Sequence, residues 1–308
     1  MSLVLHPVAC QWLCGRVSQK GQLHFESIYG AGDLASNARL FNESGQLDEV
    51  GLSALLEAAL AACHEMRRHP KAVVVTLSSQ QAYFCELGVS SAEQDDDIRF
   101  QIEDLLSDVA GESKSQMAYD WQSKGADILM GGDERQLAVA ALLKDQLDCI
   151  LEVCSVAKLD CLGVTLDAVS RANGYQRASG PGGSFEFPTL LIGTLNPWEV
   201  RLSVFMEGAL FSETTTTNDD GDFTLVKGLS ALERLVTAWT RSGPMVQDSG
   251  IGLILSGHLM CQGTAFTTAG RSDCLRPYLT ATAVRPELAK GWHQQVVAFG
   301  AVEGLPCA

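Results

Sequence analysis

The stretch TLLIGTLNPWEVRLSVFMEGALF, residues 189–211, decides how the second half of the chain is expected to fold. An apolar run leads into Gly193, turn residues follow, and apolar and polar residues alternate from Val200 onward. A short apolar run bounded by turn residues predicts a buried strand, and a period of two predicts another strand. The stretch is therefore predicted to form a strand, a sharp turn and a returning strand.

The segment just before this hairpin, ASGPGGS at residues 178–184, is the most linker-like part of the sequence. Gly and Pro concentrate there, and such clusters mark loops. On each side of it the sequence predicts an early strand hairpin and a later alternation of strands and helices. In the first half, that hairpin turns at Gln19-Lys20-Gly21, and an amphipathic helix is stopped by Pro70. We therefore predict an α/β protein with a first lobe at residues 1–177 and a second lobe at residues 185–308.

The charge balance excludes several partners. The 308-residue chain carries a net charge of −15, whereas binding nucleic acid requires clustered Lys and Arg to neutralise phosphates. The same charge argues against direct binding to an anionic membrane surface. No apolar run reaches the roughly 18–20 residues that span a bilayer, and the first residues lack the basic start and cleavage site of a signal peptide. We expect a soluble, cytoplasmic protein without nucleic acid and without direct membrane insertion.

The side chains that usually bind metals do not form a recognisable metal site. None of the ten cysteines belongs to a C-x-x-C pair, and the six histidines are scattered. Cys149 and Cys154 fall within a helical pattern, so we interpret them as small buried hydrophobic residues. The acids at residues 95–97 begin a predicted helix, where the helix dipole favours negative charge. We predict no metal ligands and no catalytic residues.

The order of the predicted pieces carries a resemblance to a known family, although each motif is weak. The helix GQLDEVGLSALLEAAL, the strand KAVVVTLSS, an acidic helix, AYDW, the 189–211 hairpin, LERLVTAW and LILSGH follow one another as in PilM-like proteins. These are cytoplasmic components of type IV pilus assembly. The chain resembles the HofM-like and MshI-like members, and the cytoplasmic region of the secretion protein GspL shares the architecture. The resemblance implies a two-lobed actin-like (ribonuclease-H-like) ATPase fold, with a small subdomain inserted in the first lobe at about residues 86–144.

Active members of this fold hold ATP and magnesium with two hairpins and a glycine turn, and all three are altered here. The first hairpin has the bulky Trp12 where small residues line the phosphate, the second has Leu191 in place of an Asp, and the third has His258 in place of a glycine. Pro197 removes one N–H donor from the second hairpin. Because phosphate needs N–H donors and magnesium needs oxygen ligands, we expect no bound ATP or magnesium. The positions of this predicted degenerate nucleotide site are Trp12, Leu13, Leu191, Gly193, Ser256, Gly257 and His258.

The resemblance also implies a partner. PilM-like proteins grip the short cytoplasmic peptide of PilN, a bitopic membrane protein, and thereby connect other pilus platform proteins and the assembly ATPases to the inner membrane. In the family the peptide lies between the first lobe and the inserted subdomain. The residues predicted here to contribute to that groove are Tyr83, Phe84, Ile98 and Ile102, although each is equally compatible with an ordinary place in the subdomain core.

Three functions are therefore weighed from the sequence. The favoured one is a non-enzymatic cytoplasmic scaffold of a type IV pilus or related secretion platform, held at the inner membrane through its PilN-like partner. The alternative is an active ATPase or sugar-kinase-like enzyme of the same fold, which predicts that nucleotide stabilises the protein. A cell-division homologue like FtsA is disfavoured, because the final residues VVAFGAVEGLPCA lack the basic face of an amphipathic membrane helix.

Overall fold

The computed structural model describes residues 1–5, 10–17, 23–32, 40–42, 45–65, 67–90, 92–110, 116–126, 134–178, 189–206, 209–218, 221–242, 251–256 and 259. Their strands are β1 (Ser2–Leu5), β2 (Cys10–Val17), β3 (Leu23–Gly32), β4 (Ala72–Leu77), β5 (Tyr83–Ser90), β6 (Met117–Ala126), β7 (Glu134–Leu143), β8 (Asp160–Leu166), β9 (Thr189–Leu195), β10 (Glu199–Met206), β11 (Ala209–Thr217) and β12 (Ile251–Ser256). Their helices are α1 (Glu49–Glu65), α2 (Asp95–Ala110), α3 (Lys144–Val156), α4 (Asp167–Ala178) and α5 (Leu225–Ser242). A 3-10 turn, Ser79–Gln81, joins β4 to β5.

The five-stranded sheet of the first half has the order β3-β2-β1-β4-β8. β1 pairs antiparallel with β2 and parallel with β4, and β4 pairs parallel with β8. The apolar face of α1, which includes Leu52, Leu56 and Cys63, packs into the core on this sheet together with α3. The helical spacing predicted for α1 is thus confirmed, and Asp48 begins this helix by accepting a 2.8 Å hydrogen bond from the Gly51 N–H.

The four-stranded sheet of the second half repeats this plan. Its order is β11-β10-β9-β12, in which β9 is antiparallel to β10 and parallel to β12. β9 therefore corresponds to β1, the hairpin β10–β11 to β2–β3, and β12 to β4. α5 packs on this sheet through Leu232 and Val236. The two sheets lie in two compact units: the five-stranded sheet in the unit that holds Met1–Gln122 and Ile128–Tyr175, and the four-stranded sheet in the unit that holds Gln176–Gln294.

A third sheet, of order β5-β7-β6, interrupts the first half between β4 and β8. β7 pairs antiparallel with the whole length of β5, and α2 packs against both strands through a small core of its own. We call this sheet and α2 the inserted subdomain. Its first strand begins at Tyr83, three residues before the boundary expected from the sequence, because β5 continues directly from the 3-10 turn that follows β4.

Two turns in the first unit carry strained backbone. After α1, Arg67 has a φ of 56°, and after α3, Lys158 has a φ of 58°. In both, the second residue of the turn donates back to the last helical turn: Arg68 N to Cys63 O at 2.8 Å, and Leu159 N to Cys154 O at 2.9 Å. This is the Schellman geometry, in which glycine is the favoured residue at the left-handed position. A side chain there costs about 1 kcal/mol.

Two features are absent from the described part of the chain. No helix there is long and apolar enough to cross a membrane. Among the same residues, no group of three or more His, Cys, Asp or Glu side chains is arranged to hold a metal ion.

Candidate functional site

The hairpin β9–β10 places the residues of the second predicted phosphate loop. Gly193 lies opposite Leu202 in the middle of the pairing, and the turn is closed by a 2.9 Å hydrogen bond from Asn196 N to Glu199 O. Leu191 lies five residues before this turn and is fully buried. It belongs to the apolar core between the sheet and α5. The leucine that was predicted to replace the acid of a phosphate loop is thus part of the hydrophobic core.

Gly193 faces the same core. A Cβ atom built on Gly193 would overlap Leu232 Cδ2 and would lie 3.1 Å from Leu232 Cδ1 and 3.2 Å from Leu255 Cδ2. Real Cβ atoms keep larger distances, so a side chain here would require the ends of the Leu232 and Leu255 side chains to move. Glycine fits the close approach of α5 without such a shift.

The opposite face of the hairpin is polar and equally buried. Arg201 is fully buried, and its guanidinium lies 2.9 Å from Glu199 Oε1 and 3.4 Å from Glu213 Oε1. Ser203 Oγ donates a 2.8 Å hydrogen bond to Glu213 Oε2, and Asn196 Nδ2 lies 3.4 Å from Glu199 Oε1. Two carboxylates thus surround one guanidinium next to the turn. The two carboxylates neutralise this cation internally, so its charge is not available to a phosphate.

The remaining positions of the predicted nucleotide site are placed only in part. Trp12 lies on β2 with 7% of its surface exposed, inside the first apolar core, and Leu13 follows it on the same strand. Ser256 ends β12 opposite Thr194 of β9. Gly257 and His258 lie outside the described residues. The degenerate nucleotide site as a whole therefore stays a prediction.

A cavity of about 250 Å³ lies between the five-stranded sheet and the inserted subdomain. Leu77 and Leu166 contribute the carboxyl ends of β4 and β8, and Ala118 and Ala140 contribute β6 and β7. β6 and β8 are edge strands of their respective sheets in the described structure. The full lining is Leu77, Ala82, Ala118, Tyr119, Asp120, Ala140, Ala141, Leu142, Leu147, Val164, Thr165 and Leu166. We call this the subdomain groove.

Aromatic side chains of the subdomain lie along β6 beside the groove. Tyr119 donates a 3.0 Å hydrogen bond to Glu103 Oε1 and lies 6.2 Å from the Trp121 ring centroid. The Arg99 guanidinium lies 5.9 Å from that same Trp121 centroid. Burial, and then the hydrogen bond to the Glu103 carboxylate, raise the pKa of Tyr119. The phenol therefore stays protonated and keeps its role as a donor.

The four residues predicted for the partner groove lie in the subdomain, and none of them lines the cavity. Ile98 and Ile102 on α2 have no exposed surface and form the subdomain core with β5 and β7. Tyr83 and Phe84 are half-buried on β5, and Tyr83 directly follows Ala82, which does line the cavity. Ile98 and Ile102 can therefore support a groove by packing but cannot touch a bound peptide.

A buried polar cluster beside the cavity was not foreseen from the sequence. Asp167 Oδ1 accepts hydrogen bonds from Ser79 N at 3.0 Å and from Ser79 Oγ at 2.7 Å, and Arg171 NH2 lies 3.6 Å from Asp167 Oδ2. Ser79 and Asp167 come just after β4 and β8, whose carboxyl ends are adjacent because the strands are parallel. The cluster fixes the start of α4 to the turn that leads into the subdomain. The signal available in the sequence was the position of both residues directly after apolar strands.

Comparison with known proteins gives matches only at the level of structure. No protein-family model matches the chain, and no curated protein matches it in sequence. A PilM–PilN type IV pilus biogenesis complex matches with a TM-score of 0.68 and 12% identity, over 99% of this chain and 98% of that chain. A Bacteroides thetaiotaomicron protein with an actin-like ATPase fold matches with a TM-score of 0.50 and 10% identity, over 96% and 94% of the two chains. The cytoplasmic domain of EpsL of the Vibrio cholerae type II secretion system matches with a TM-score of 0.48 and 12% identity, over 84% of this chain and 82% of that chain.

The first two of these matches, together with the repeated sheet order, show that the chain has the actin-like ATPase fold with a subdomain inserted in its first half. The resemblance to PilM that was predicted from the order of elements is confirmed as a resemblance of fold. Because the identities are only 10% and 12%, the matches show the fold and do not show that this chain shares an activity or a partner with those proteins.

Proposed function

We propose that this chain is a non-enzymatic cytoplasmic scaffold of a type IV pilus or related secretion platform, and that it holds the cytoplasmic N-terminal peptide of a PilN-like membrane protein in the subdomain groove. The observation that carries the proposal is the apolar cavity between the five-stranded sheet and the inserted subdomain. Its volume of about 250 Å³ lies below the roughly 300–1,000 Å³ of drug-sized ligand sites, and it suits a few aliphatic side chains better than a nucleotide.

The elements around the groove support an extended ligand. β6 and β8 are both edge strands, and an edge strand offers unpaired N–H and C=O groups to a peptide that adds as a further strand. Leu77 and Leu166 would receive apolar anchors, and Asp120 at the rim would favour a basic residue in the ligand. The protein would then be attached to the inner membrane through this partner alone, and other platform proteins and the assembly ATPases would join it there.

A binding assay with a synthetic peptide tests this proposal. The probe is the fluorescently labelled N-terminal cytoplasmic segment of the PilN-like protein encoded beside this chain, with a scrambled peptide as reference. Ala118→Glu should abolish binding, because it places a carboxylate in the apolar groove. Ala61→Glu, on the exposed side of α1, is the matched control and should bind like the parent.

Two outcomes would contradict the groove assignment. Both begin with binding that survives Ala118→Glu. If Tyr83→Asp also leaves binding intact, the peptide lies outside the subdomain groove and β5, and if Tyr83→Asp abolishes binding, the peptide lies on β5 instead. No binding of the native peptide above the scrambled one would contradict the proposed partner itself.

The alternative function, an active ATPase, is tested by a thermal melt with millimolar Mg-ATP. A ligand at about 1,000 times its Kd stabilises a protein by about 4 kcal/mol and raises its melting temperature by several degrees. We expect no shift, since Leu191 is in the core and the cation of Arg201 is already paired with Glu199 and Glu213. A magnesium-dependent rise would favour the enzyme over the scaffold.

A further inference from the structure

Two cysteines lie next to each other where α3 meets β8. Cys154 is in the last turn of α3, and Cys161 is the second residue of β8. Their thiols share a hydrogen bond, and both side chains pack in the apolar core between the five-stranded sheet and its helices. Both are free cysteines, and neither lines the subdomain groove. The pair is therefore a contact between two thiols that lies outside the site described above.

The backbone on each side of the turn between them is held by hydrogen bonds. The chain reverses after α3 at Lys158, and Leu159 N donates a 2.9 Å hydrogen bond to Cys154 O. Asp160 N donates a 2.9 Å hydrogen bond to Lys71 O, which attaches the start of β8 to the start of β4. The two sulfur atoms are thus kept as neighbours by the fold. A disulfide between sulfurs that already touch requires little movement of the backbone.

The two thiols differ in exposure and in acidity. Cys154 is only 3% exposed, whereas Cys161 is partly exposed and lies between the exposed residues Asp160 and Leu162. The hydrogen bond from the Cys154 thiol stabilises a thiolate on Cys161 and lowers the pKa of Cys161 to about 7. The same hydrogen bond, followed by burial, raises the pKa of Cys154. Cys161 is therefore the thiol that a reagent in solution reaches as a thiolate, and Cys154 lies protonated behind it.

We propose that Cys154 and Cys161 form a redox modification site, at which a hydroperoxide converts the two thiols into a reversible intramolecular disulfide. An accessible, reactive thiol that touches a second thiol is the arrangement of redox-sensing sites, where the second cysteine resolves the first oxidation product. Disulfides in cytoplasmic proteins are usually transient and of this kind. The proposal does not depend on the partner or on the subdomain groove.

The chemistry has two steps when the oxidant is hydrogen peroxide. The Cys161 thiolate attacks one peroxide oxygen, so that an S–O bond forms, the O–O bond breaks, and hydroxide leaves and takes up a proton. Cys161 is then a sulfenic acid, oxidised by two electrons, and the peroxide is reduced. Next the Cys154 sulfur attacks the Cys161 sulfur, so that the S–S bond forms, the S–O bond breaks, and hydroxide leaves with the Cys154 proton as water. A dithiol reductant returns two electrons and two protons and restores both thiols.

Peptide mapping of the full chain tests the proposal. The reduced protein is treated with an equimolar amount of hydrogen peroxide, the remaining thiols are alkylated with iodoacetamide in urea, and the protein is digested with trypsin without reduction. Cleavage after Lys158 separates the two cysteines, so the disulfide appears as residues 145–158 linked to residues 159–171. Dithiothreitol should release the two peptides. The thiol of Cys85, whose pKa is raised by burial, should be lost at least about tenfold more slowly.

Variants identify the cysteine that pairs with Cys161, because Cys149 is on the same tryptic peptide as Cys154. Cys149→Ala is the matched control and should form the linked peptide at the parental rate. Cys154→Ala should form none, and its Cys161 should instead accumulate as a sulfenic acid that dimedone traps. Cys161→Ala leaves only the buried thiol, and Cys154 should then react with peroxide at about one tenth of the parental rate or less.

Two results would overturn the proposal. One is recovery of Cys154 and Cys161 as separate alkylated peptides after peroxide treatment has consumed other thiols. The other is a linked peptide that persists in Cys154→Ala, since it would assign the disulfide to Cys149. The same oxidation in urea serves as a control for the fold. Linkage should be slower there, because unfolding removes the contact that stabilises the Cys161 thiolate, and an equal rate would refute the role of that contact.

Discussion

The Cδ atoms of Leu232 on α5 occupy the space that a side chain on Gly193 of β9 would need. A side chain at this position would require the end of the Leu232 side chain to move. The glycine of the hairpin therefore contributes to the packing between the sheet and the helix.

Gly193→Ala should lower the free energy of unfolding by about 1–3 kcal/mol, because the added methyl group overpacks the core. Urea denaturation measures this. Leu232→Ala in the same chain should recover part of the loss, with a coupling energy of about 0.5 kcal/mol or more between the two changes. Strictly additive losses would show that the two side chains do not compete for the same space.

Leu191→Asp, which introduces the acid expected for a phosphate loop, should destabilise the protein by at least about 3 kcal/mol, since it buries a carboxylate among apolar side chains. Burial raises the folded-state pKa of such an aspartate above its unfolded value of about 3.9. The stability of the variant relative to the parent should therefore fall as the pH rises. Leu191→Met is the control and should cost less than about 1.5 kcal/mol. A stable Leu191→Asp protein that also gains a Mg-ATP shift would show that the position faces a nucleotide.

Arg201→Met should cost about 3–5 kcal/mol, because it leaves Glu199 and Glu213 buried without their cation. Changing both glutamates to glutamine in the same protein should recover most of that loss, since no uncompensated charge remains. The measurement compares the denaturant midpoint of the Arg201→Met protein with that of the protein that also carries both glutamines. Equal midpoints would mean that the ion pairs contribute little.

Cys161 should be the most reactive thiol among the described cysteines. A hydrogen bond with the Cys154 thiol lowers the pKa of Cys161 to about 7, whereas burial raises the pKa of Cys85 and of Cys149. Iodoacetamide labelling followed by peptide mass analysis should modify Cys161 first, with a rate that inflects near this pKa. Cys154→Ala should move the inflection to higher pH. An unchanged inflection would show that Cys154 does not lower the pKa of Cys161.

The secondary structure was largely predictable because its determinants are local. The 3.6-residue spacing in α1, the alternation in β10 and the apolar runs of β4 and β9 each depend on neighbours a few residues away. The repeated order of these elements was then sufficient to predict the actin-like fold. Buried Cys154 likewise agrees with the interpretation of the helical cysteines as small hydrophobic residues.

The groove was less predictable because its walls come from distant segments. Ile98 and Ile102 have the apolar spacing of a binding face, but the same spacing is produced by a core, and the subdomain sheet covers them. The cavity instead joins Leu77 to side chains of β6, β7 and β8. No local pattern marks those residues as neighbours.

The sequence by itself determined the helices and strands and their duplicated order, since both follow from residue type and short-range spacing. Only the tertiary structure decided which side chains pack against Gly193, where the subdomain groove lies, and that Ser79 and Asp167, 88 residues apart, share hydrogen bonds of 2.7 and 3.0 Å. These depend on which surfaces meet after folding. Packing and burial act through space, and a chain that is read residue by residue does not reveal its long-range contacts.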